Sequence, residues 1–297
     1  MKKGLFLFFL FTISYSLAQN SKHQVIVLGI DGLNNYRFDE AYTPHFDYLK
    51  QHASWTLHAQ ANEPLSSSPN WKSIITGTTP EKHLITENGF SRKVYKNNPT
   101  CEEEPKKFPT IFTMIKRDNP KAKVGLFEHW GAFWRLVKGD KLNRKFWWEF
   151  KPKPSVKRAM AFYKKRNTTL SFIQIDQCDH AGHKYGHESA EYVKAVEQAD
   201  ELLGIVLKTI NEKDNFKNTT LIVVADHGGK GNSHGAGTPE GMNIPLFIMG
   251  SNIKAGYEIK NTTVKNEDVA VMVLKALGIK PHKCWTAKYI DEIYLSN

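Results

Sequence analysis

The chain contains few cysteines, no internal repeat and no low-complexity stretch, and its one long apolar run lies at the N-terminus. Without repeats or a long linker, its 297 residues are typical of one continuous domain. Three cysteines, Cys101, Cys178 and Cys284, cannot all pair with one another. A disulfide between Cys101 and Cys284 is one hypothesis, and it leaves Cys178 as a small buried thiol because no histidine and acid pattern points to it.

The N-terminal run has the composition of a secretory signal. Lys2 and Lys3 precede the apolar residues 5–13, and Ser16, Leu17 and Ala18 give a small-x-small cleavage pattern. We therefore predict a signal peptide at residues 1–18, a secreted or periplasmic mature protein, and no transmembrane segment after cleavage. An uncleaved anchor or a first core strand is the alternative. No cysteine follows the run, which argues against a lipid anchor.

The charge balance is basic. Loss of Lys2 and Lys3 would lower the formal net charge from +11 to +9, which favours anionic substrates or surfaces. The lysines are scattered along predicted helices and loops, and the sequence shows no nucleic-acid motif. A solvated basic face therefore explains the charge better than nucleic-acid binding.

The order of elements predicts an α/β protein. Strands are predicted at 25–30, 123–127, 170–175, 220–225 and 245–249, and helices from Thr43 and Pro44 onward and at 71–76, 110–117, 154–165, 189–210 and 266–277. Alternation of this kind predicts a three-layer α/β/α sandwich with a mostly parallel sheet, formed by residues 19–297. Residues 86–109 are predicted to be a surface excursion. The Trp-rich segment 129–150 either stacks on a nucleotide base or, as we favour, packs against the sheet.

Residues of the types that bind metals lie where three apolar strands end. Asp31 follows the strand 25–30, and Asp226 and His227 follow the strand 221–225. Asp179 and His183 lie four residues apart after the strand 170–175, and His234 lies in a glycine-rich loop. Because ligands gather at the carboxyl ends of parallel strands, these six residues are expected to converge. Carboxylates with imidazoles and no thiolate favour Zn²⁺, with Mn²⁺ or Fe as alternatives.

Three serines precede the segment that is predicted to be helical at 71–76. Ser66, Ser67 and Ser68 lie in a stretch rich in serine and proline, and the helix is expected to end at Gly77. Backbone N–H groups and the helix dipole at such a start favour an anion.

The order of these motifs resembles the alkaline phosphatase superfamily, and most closely its type I phosphodiesterase and nucleotide pyrophosphatase branch. The matching stretches are Asp31-Gly32, residues 43–49, Ser67-Ser68-Pro69-Asn70, Thr76-Gly77, Asp179 with residues 182–186, and Asp226-His227-Gly228. The resemblance implies an alkaline phosphatase-like fold with two zinc ions. Asp179, His183 and His234 would hold one ion, and Asp31, Asp226 and His227 the other.

The same resemblance implies a reaction. Ser67 would bridge the two ions as the nucleophile and pass through a phosphoseryl intermediate, and Asn70 would donate to a phosphoryl oxygen. The branch usually has threonine at the position of Ser67, and Ser66 and Ser68 remain weaker candidates. The arginine that the sulfatase motif requires is replaced by Trp71, which argues against sulfate esters.

The implied function is a metal-dependent phosphoric ester hydrolase acting on a small diester or pyrophosphate, with a nucleotide as one candidate. Lys72 or Lys230 would be able to reach a phosphate. His180 and His187, which flank the first motif, could support the ligands from an outer shell, but we favour their interpretation as solvated loop residues. A phosphomonoesterase, a phosphonate or sulfate hydrolase, and a catalytically silent binding protein are the alternatives, and the oligomeric state stays open.

Overall fold

Eight strands form one sheet in the computed structural model, which describes residues 23–91, 100–104, 107–147, 151–165, 168–213 and 215–296. The strands are β1 (Gln24–Ile30), β2 (Ser54–Gln60), β3 (Lys123–Glu128), β4 (Arg144–Trp147), β5 (Thr168–Ile175), β6 (Thr219–Ala225), β7 (Asn243–Met249) and β8 (Tyr257–Glu258). Their order across the sheet is β4-β3-β5-β1-β6-β7-β2-β8. β7 runs antiparallel to both of its neighbours, and the other pairs are parallel. The predicted signal at 1–18 lies outside the described residues.

Helices cover both faces of the sheet. They are α1 (Pro44–His52), α2 (Ser67–Thr76), α3 (Pro80–His83), α4 (Ile111–Asp118), α5 (Phe133–Leu136), α6 (Pro152–Tyr163), α7 (Gln177–Tyr185), α8 (Ala190–Lys213), α9 (Pro239–Met242) and α10 (Asp268–Ala276). α1, α6 and α7 pack against α8, whereas α3, α4, α5 and α10 pack against α2. The predicted three-layer α/β/α fold with a mostly parallel sheet is confirmed. Within the described ranges, no helix combines the length and apolarity needed to cross a membrane.

The centre of the sheet places three strand ends side by side. Every residue of β1 is buried, as expected for a strand with helices on both faces. Ile30 at the end of β1 pairs with Ile175 of β5 on one side and with Ala225 of β6 on the other. The chain therefore leaves all three strands at one edge and at one level, which is the position where parallel sheets bind ligands.

The sequence missed β2, β4 and β8. β4 has one half-buried residue among three exposed ones, β8 consists of two half-buried residues, and β2 mixes buried residues with half-buried ones and one exposed residue. Such strands lack the continuous apolar run that reveals the central ones. α1 begins where the sequence predicted, with Thr43 at the N-cap position and Pro44 as its first residue. The Thr43 side chain makes no capping bond, however, and the Asp200 carboxylate accepts from the N–H groups of His45 and Phe46.

In its described parts the predicted surface excursion at 86–109 contains no helix or strand and several exposed residues, but it is also held against the core. Phe90, Cys101 and Phe108 are all buried. A disulfide joins Cys101 to Cys284, as hypothesised, and Cys178 is a buried free thiol. The segment is therefore anchored to the core and to the C-terminal part of the chain, and residues 92–99 lie outside the described ranges.

Candidate metal centre

Asp31, Asp226 and His227 form what we call the buried group. They follow directly from the ends of β1 and β6, and all three are inaccessible to solvent. One potential ligand atom from each residue lies within 4.8 Å of the others. The register of the two parallel strands therefore assembles a compact set of two carboxylates and one imidazole.

Neighbouring side chains orient the carboxylates of the buried group. Trp71 Nε1 and Gln174 Nε2 donate to Asp31 Oδ2 over 2.7 and 3.0 Å. Asp31 Oδ1 is thereby left facing His227 Nε2 at 3.5 Å. The Gly32 N–H donates to Asp226 Oδ1, whereas the buried Asp226 Oδ2 has no hydrogen-bond partner among the described residues. One oxygen of each acid is held by the protein and the other is available to a cation.

Asp179, His183 and His234 form what we call the open group. Asp179 and His183 lie one turn apart on α7, which the sequence anticipated only as a helical start, and His234 lies between β6 and α9. The His183 side chain is 44% exposed and the His234 side chain 18%. The ligand atoms again lie within 4.8 Å of one another. The His227 and His234 rings are 4.1 Å apart, so the two groups adjoin.

Hydrogen bonds fix the tautomers of all three histidines. Each Nδ1 lies 2.8 to 2.9 Å from a backbone carbonyl: that of Asn232 for His183, Gly228 for His227 and Leu65 for His234. Since a carbonyl can only accept, each Nδ1 is the donor and each Nε2 of a neutral ring carries the lone pair. The Nε2 atoms of His183 and His234 face each other at 2.9 Å. Two facing lone pairs repel unless a cation or proton lies between them.

Ser67 is the first residue of α2 and lies over the buried group. Its Oγ is 3.4 Å from Asp31 Oδ1 and 3.3 Å from His227 Nε2. Ser66 precedes the helix, whereas Ser68 is buried inside the first turn with an Oγ that has no partner within the described ranges. Among the three serines, Ser67 is the one whose hydroxyl contacts proposed ligands.

The electrostatics of the centre reflect crowded buried acids. Burial, and then the charge of Asp179, raise the pKa of Asp31 to about 7. Burial and the charge of Asp31 raise the pKa of Asp226 well above its ordinary value. Burial lowers the pKa of His227 to about 3, so this imidazole is neutral at pH 7. A bound cation would remove the repulsion between these carboxylates.

The donors fit the predicted ion type. Each group offers three ligand atoms from carboxylates and imidazoles, which are the kinds of atom that bind zinc directly. In most of these residues the other carboxylate oxygen or ring nitrogen is held by a hydrogen bond to the protein, as in the outer shell of zinc sites. The other groups of such side chains in the described ranges are an acid cluster of Asp31, Asp176 and Asp179, and the disulfide cysteines with His282. The structure thus brings together all six residues that the sequence proposed as ligands.

Asn70 has different contacts from those expected of a phosphoryl donor. It is fully buried, its Nδ2 lies within reach of the carbonyls of Asn62, Pro64 and Ser66, and its Oδ1 accepts from Asn62 and Asn266. These contacts point to a residue that holds the turn before Ser67. Lys72, expected to reach a phosphate, is instead fully buried and donates to the Leu136 carbonyl. Lys230 is half-exposed and pairs with Glu240.

Some residues around the centre were missed by reasoning from sequence. Gln174 could have been found from the sequence, because it is a lone amide in the buried apolar strand β5. His187 was interpreted as solvated, but only 1% of it is exposed. His180 is exposed, as expected. Asn88 accepts from the Ser68 N–H at 2.7 Å and had no local signal in the sequence.

The chain is similar in sequence to curated pyrophosphatase/phosphodiesterase proteins. Two curated relatives are an uncharacterised pyrophosphatase/phosphodiesterase of Schizosaccharomyces pombe, 23% identical over 217 residues, and human ectonucleotide pyrophosphatase/phosphodiesterase family member 1, 23% identical over 210 residues. The alignments cover 69% and 62% of this chain, but the chain spans only 44% and 21% of those proteins.

Solved structures show the same fold. Murine ectonucleotide pyrophosphatase/phosphodiesterase 5 superposes with a TM-score of 0.73 at 13% identity, over 92% of this chain and 100% of that one. An inactive variant of the murine protein in complex with AMP superposes with a TM-score of 0.68 at 14% identity, over 88% of this chain and 96% of that one.

A family model for type I phosphodiesterase and nucleotide pyrophosphatase matches residues 25–240, a range that contains both metal groups and Ser67. The match covers more than half of the sequence and runs from β1 through α9. The chain therefore belongs to the type I phosphodiesterase/nucleotide pyrophosphatase family.

Proposed function

We propose that this protein hydrolyses phosphoric esters, with diesters or pyrophosphates preferred over monoesters, through Ser67 and two zinc ions. Asp31, Asp226 and His227 would hold one ion, and Asp179, His183 and His234 the other. The observation that carries the proposal is the position of Ser67 Oγ, 3.3 to 3.4 Å from two members of the buried group. Family membership supports the same reaction class.

When bound, the two ions would lower the pKa of a serine hydroxyl and stabilise the charge of the leaving oxygen. Ser67 releases its hydroxyl proton to solvent, and its Oγ forms a bond to phosphorus as the ester P–O bond breaks and the leaving group departs with its electron pair. Water attacks the resulting phosphoseryl group, releases phosphate or its monoester, and restores the serine. Trp71 and Gln174 hold Asp31 in place, and Asn70 holds the turn from which Ser67 projects.

The three serines provide a test with matched controls. We expect Ser67→Ala to lower the turnover of zinc-loaded protein on bis(p-nitrophenyl) phosphate by a factor of at least ~10³, because the nucleophile is lost. Ser66→Ala and Ser68→Ala should stay within roughly threefold of the wild type, since no nucleophile is removed. Wild-type turnover by Ser67→Ala, or a loss confined to Ser66→Ala or Ser68→Ala, would exclude Ser67 as the nucleophile.

A cavity beside the centre gives the organic part of the ester a place to bind. It has a volume of about 330 Å³, and its walls include Trp130, Pro152, Asp176 and Gln177. A ligand atom of Asp176 lies within 4.8 Å of atoms of Asp31 and Asp179, so the cavity adjoins the metal centre. Its size is at the lower end of the range for small-molecule sites. The sequence left open whether the Trp-rich segment packs or binds, and Trp130 both packs on the core and lines this cavity.

The substrate preference can be measured with paired esters. Thymidine 5′-p-nitrophenyl phosphate and methyl p-nitrophenyl phosphate share a leaving group and differ in the group that the cavity would receive. A higher kcat/KM for the thymidine ester supports a nucleotide substrate, and equal values contradict it.

Assays of p-nitrophenyl phosphate, an aryl phosphonate and an aryl sulfate with added zinc decide among the monoester, phosphonate and sulfate alternatives. Substoichiometric zinc together with no turnover would indicate a silent binding protein.

A further inference from the structure

Three residues outside the two metal groups connect every segment that carries a proposed ligand. We name His187, Tyr192 and Asn34 the clamp. They belong to the loop after α7, to α8 and to the loop after β1, and all three are buried. None of them was selected as functional from the sequence.

His187 joins the two segments of the open group. Its backbone N–H and its ring Nδ1 both donate to the Gly231 carbonyl, over 2.8 and 2.9 Å. Gly231 lies three residues before His234, and His187 lies four residues after His183. One carbonyl that accepts two donors therefore fixes the loop of His234 against the end of α7.

The ring of His187 also packs between two glycines of the ligand segments. A Cβ atom added at Gly182 would lie 2.3 Å from the ring, and one added at Gly229 would lie 2.0 Å from it. Gly182 directly precedes His183, and Gly229 is two residues after His227. Because no side chain other than hydrogen fits, the imidazole sets the spacing between α7 and the loop that follows β6.

Tyr192 and Asn34 extend the connection to the segment of Asp31. The Tyr192 ring lies 4.9 Å from that of His187, and its hydroxyl donates to the Gly32 carbonyl over 2.6 Å. The same hydroxyl accepts from the Asn34 N–H, and Asn34 Nδ2 donates to the Gly229 carbonyl. Buried bonds to backbone thus link the neighbours of Asp31, His183, His227 and His234.

We propose that His187 is a positioning residue that aligns His234 with His183 for the ion of the open group. This inference rests on the proposed function, because it needs these residues to bind metal. Outer-shell partners of metal ligands typically affect metal affinity by ~10 to 100-fold. His187 contacts backbone and Tyr192, so it acts through the ligands without touching substrate.

Two substitutions at His187 distinguish the contribution of the Nδ1 hydrogen-bond donor from that of the aromatic ring. His187→Phe keeps an aromatic ring beside Tyr192 but loses the Nδ1 donor, and His187→Asn supplies an amide donor near the position of Nδ1. His52→Asn is the matched control, because His52 is an exposed histidine at the end of α1 and its Nδ1 donates to the Tyr48 carbonyl of the same helix. Competition with a zinc-responsive dye would give the two zinc affinities, and thermal denaturation would give Tm.

We expect His187→Phe to weaken the more weakly bound zinc by ~10 to 100-fold and the tightly bound zinc by less than threefold. His187→Asn should recover most of that affinity, KM should stay near the wild-type value at saturating zinc, and His52→Asn should match the wild type. Wild-type zinc affinity in His187→Phe, or equal weakening of both sites with no recovery in His187→Asn, would overturn the role of His187.

Tyr192→Phe tests the clamp without a substitution at His187, in case His187→Phe does not fold. Tyr192→Phe removes only the hydroxyl that contacts Gly32 and Asn34, and the clamp predicts weaker zinc binding at the unchanged ligands. Unaltered zinc affinity in Tyr192→Phe would contradict the clamp. If the wild-type protein itself binds no zinc, the proposed function fails rather than the clamp.

Discussion

The two groups of the metal centre use the same kinds of atoms in different surroundings. The buried group lies on the ends of β1 and β6, and its side chains are fully inaccessible. The open group lies on α7 and a loop, and its His183 side chain is 44% exposed. Strand ends in the middle of a sheet are fixed by neighbours on every side, whereas a helix start and a loop depend on a few bonds.

This difference separates two tasks within one centre. The buried group contacts the Ser67 hydroxyl and is shielded from water. Electrostatic interactions of the buried group are stronger in such surroundings than in water. The open group faces solvent, so under the proposed function substrate would arrive and the leaving group would depart on its side. We expect the solvent exposure of the side chains, rather than the type of ligand, to determine how each group responds to the loss of a side chain and to a chelator.

The largest effect should come from removing one imidazole from each group. His227→Gly and His183→Gly should each lower turnover by at least ~10³-fold, since each removes a proposed metal ligand. Added imidazole should raise the activity of His183→Gly at least about tenfold, because the vacated space opens to solvent. It should not raise the activity of His227→Gly, whose vacated space is buried. Steady-state assays with and without imidazole measure this, with imidazole-treated wild type as control. Equal rescue of both variants would show that the groups are equally accessible.

A smaller effect is expected in the rate of metal loss. During dialysis against a chelator, one equivalent of zinc should leave the wild-type protein at least about tenfold faster than the other, because a buried ion must wait for local opening. Metal content measured over time gives both rates. Loss of both ions in a single phase would mean that the two groups open together.

The smallest effect concerns a buried strand-end carboxylate that belongs to neither group. Glu128 ends β3, is fully buried, and lies 3.5 Å from Lys145. Burial raises its pKa from the ordinary value of 4.5 to about 7. The folded state therefore binds more protons than the unfolded state between these pH values, and stability falls as pH rises from 4.5 to 7.

Glu128→Gln removes this titration. We expect the variant to be more stable than the wild type above pH 7 by an amount on the order of 3 kcal/mol at most, with the difference shrinking to near zero below pH 4.5. Urea denaturation at a series of pH values measures the free energy of unfolding. A difference that does not depend on pH would show that Glu128 keeps its charge in the fold, and would weaken the argument that buried acids here need a cation.

The part of the centre that could be predicted is the part built by local sequence. Asp31, Asp226 and His227 were found because an apolar strand that ends in an acid or imidazole is visible in the chain itself. Asp179 and His183 share one turn of helix, so their spacing also revealed them. The family resemblance then divided the six ligands into two groups of three.

The parts that could not be predicted depend on contacts between distant segments. The family resemblance assigned Asn70 to the phosphoryl group, but its amide donates to backbone carbonyls that fold around it. His187 was judged from its loop sequence, whereas its burial comes from Gly182 and Gly229 on two other segments. Partners of this kind appear only when the tertiary structure brings the segments together.

Trp71 occupies the position at which the sulfatase motif has arginine, and its orientation carries a consequence for the evolution of new activities. Its indole donates to Asp31, and its ring fills the space above Gly29, where a Cβ would lie 2.4 Å from it. An arginine placed here would put a charged guanidinium in a fully buried position and would vacate the space beside Gly29 that the indole ring fills. Divergence toward sulfate esters would therefore require several compensating changes in the core beneath the site, so the barrier between the two chemistries lies in packing as much as in catalysis.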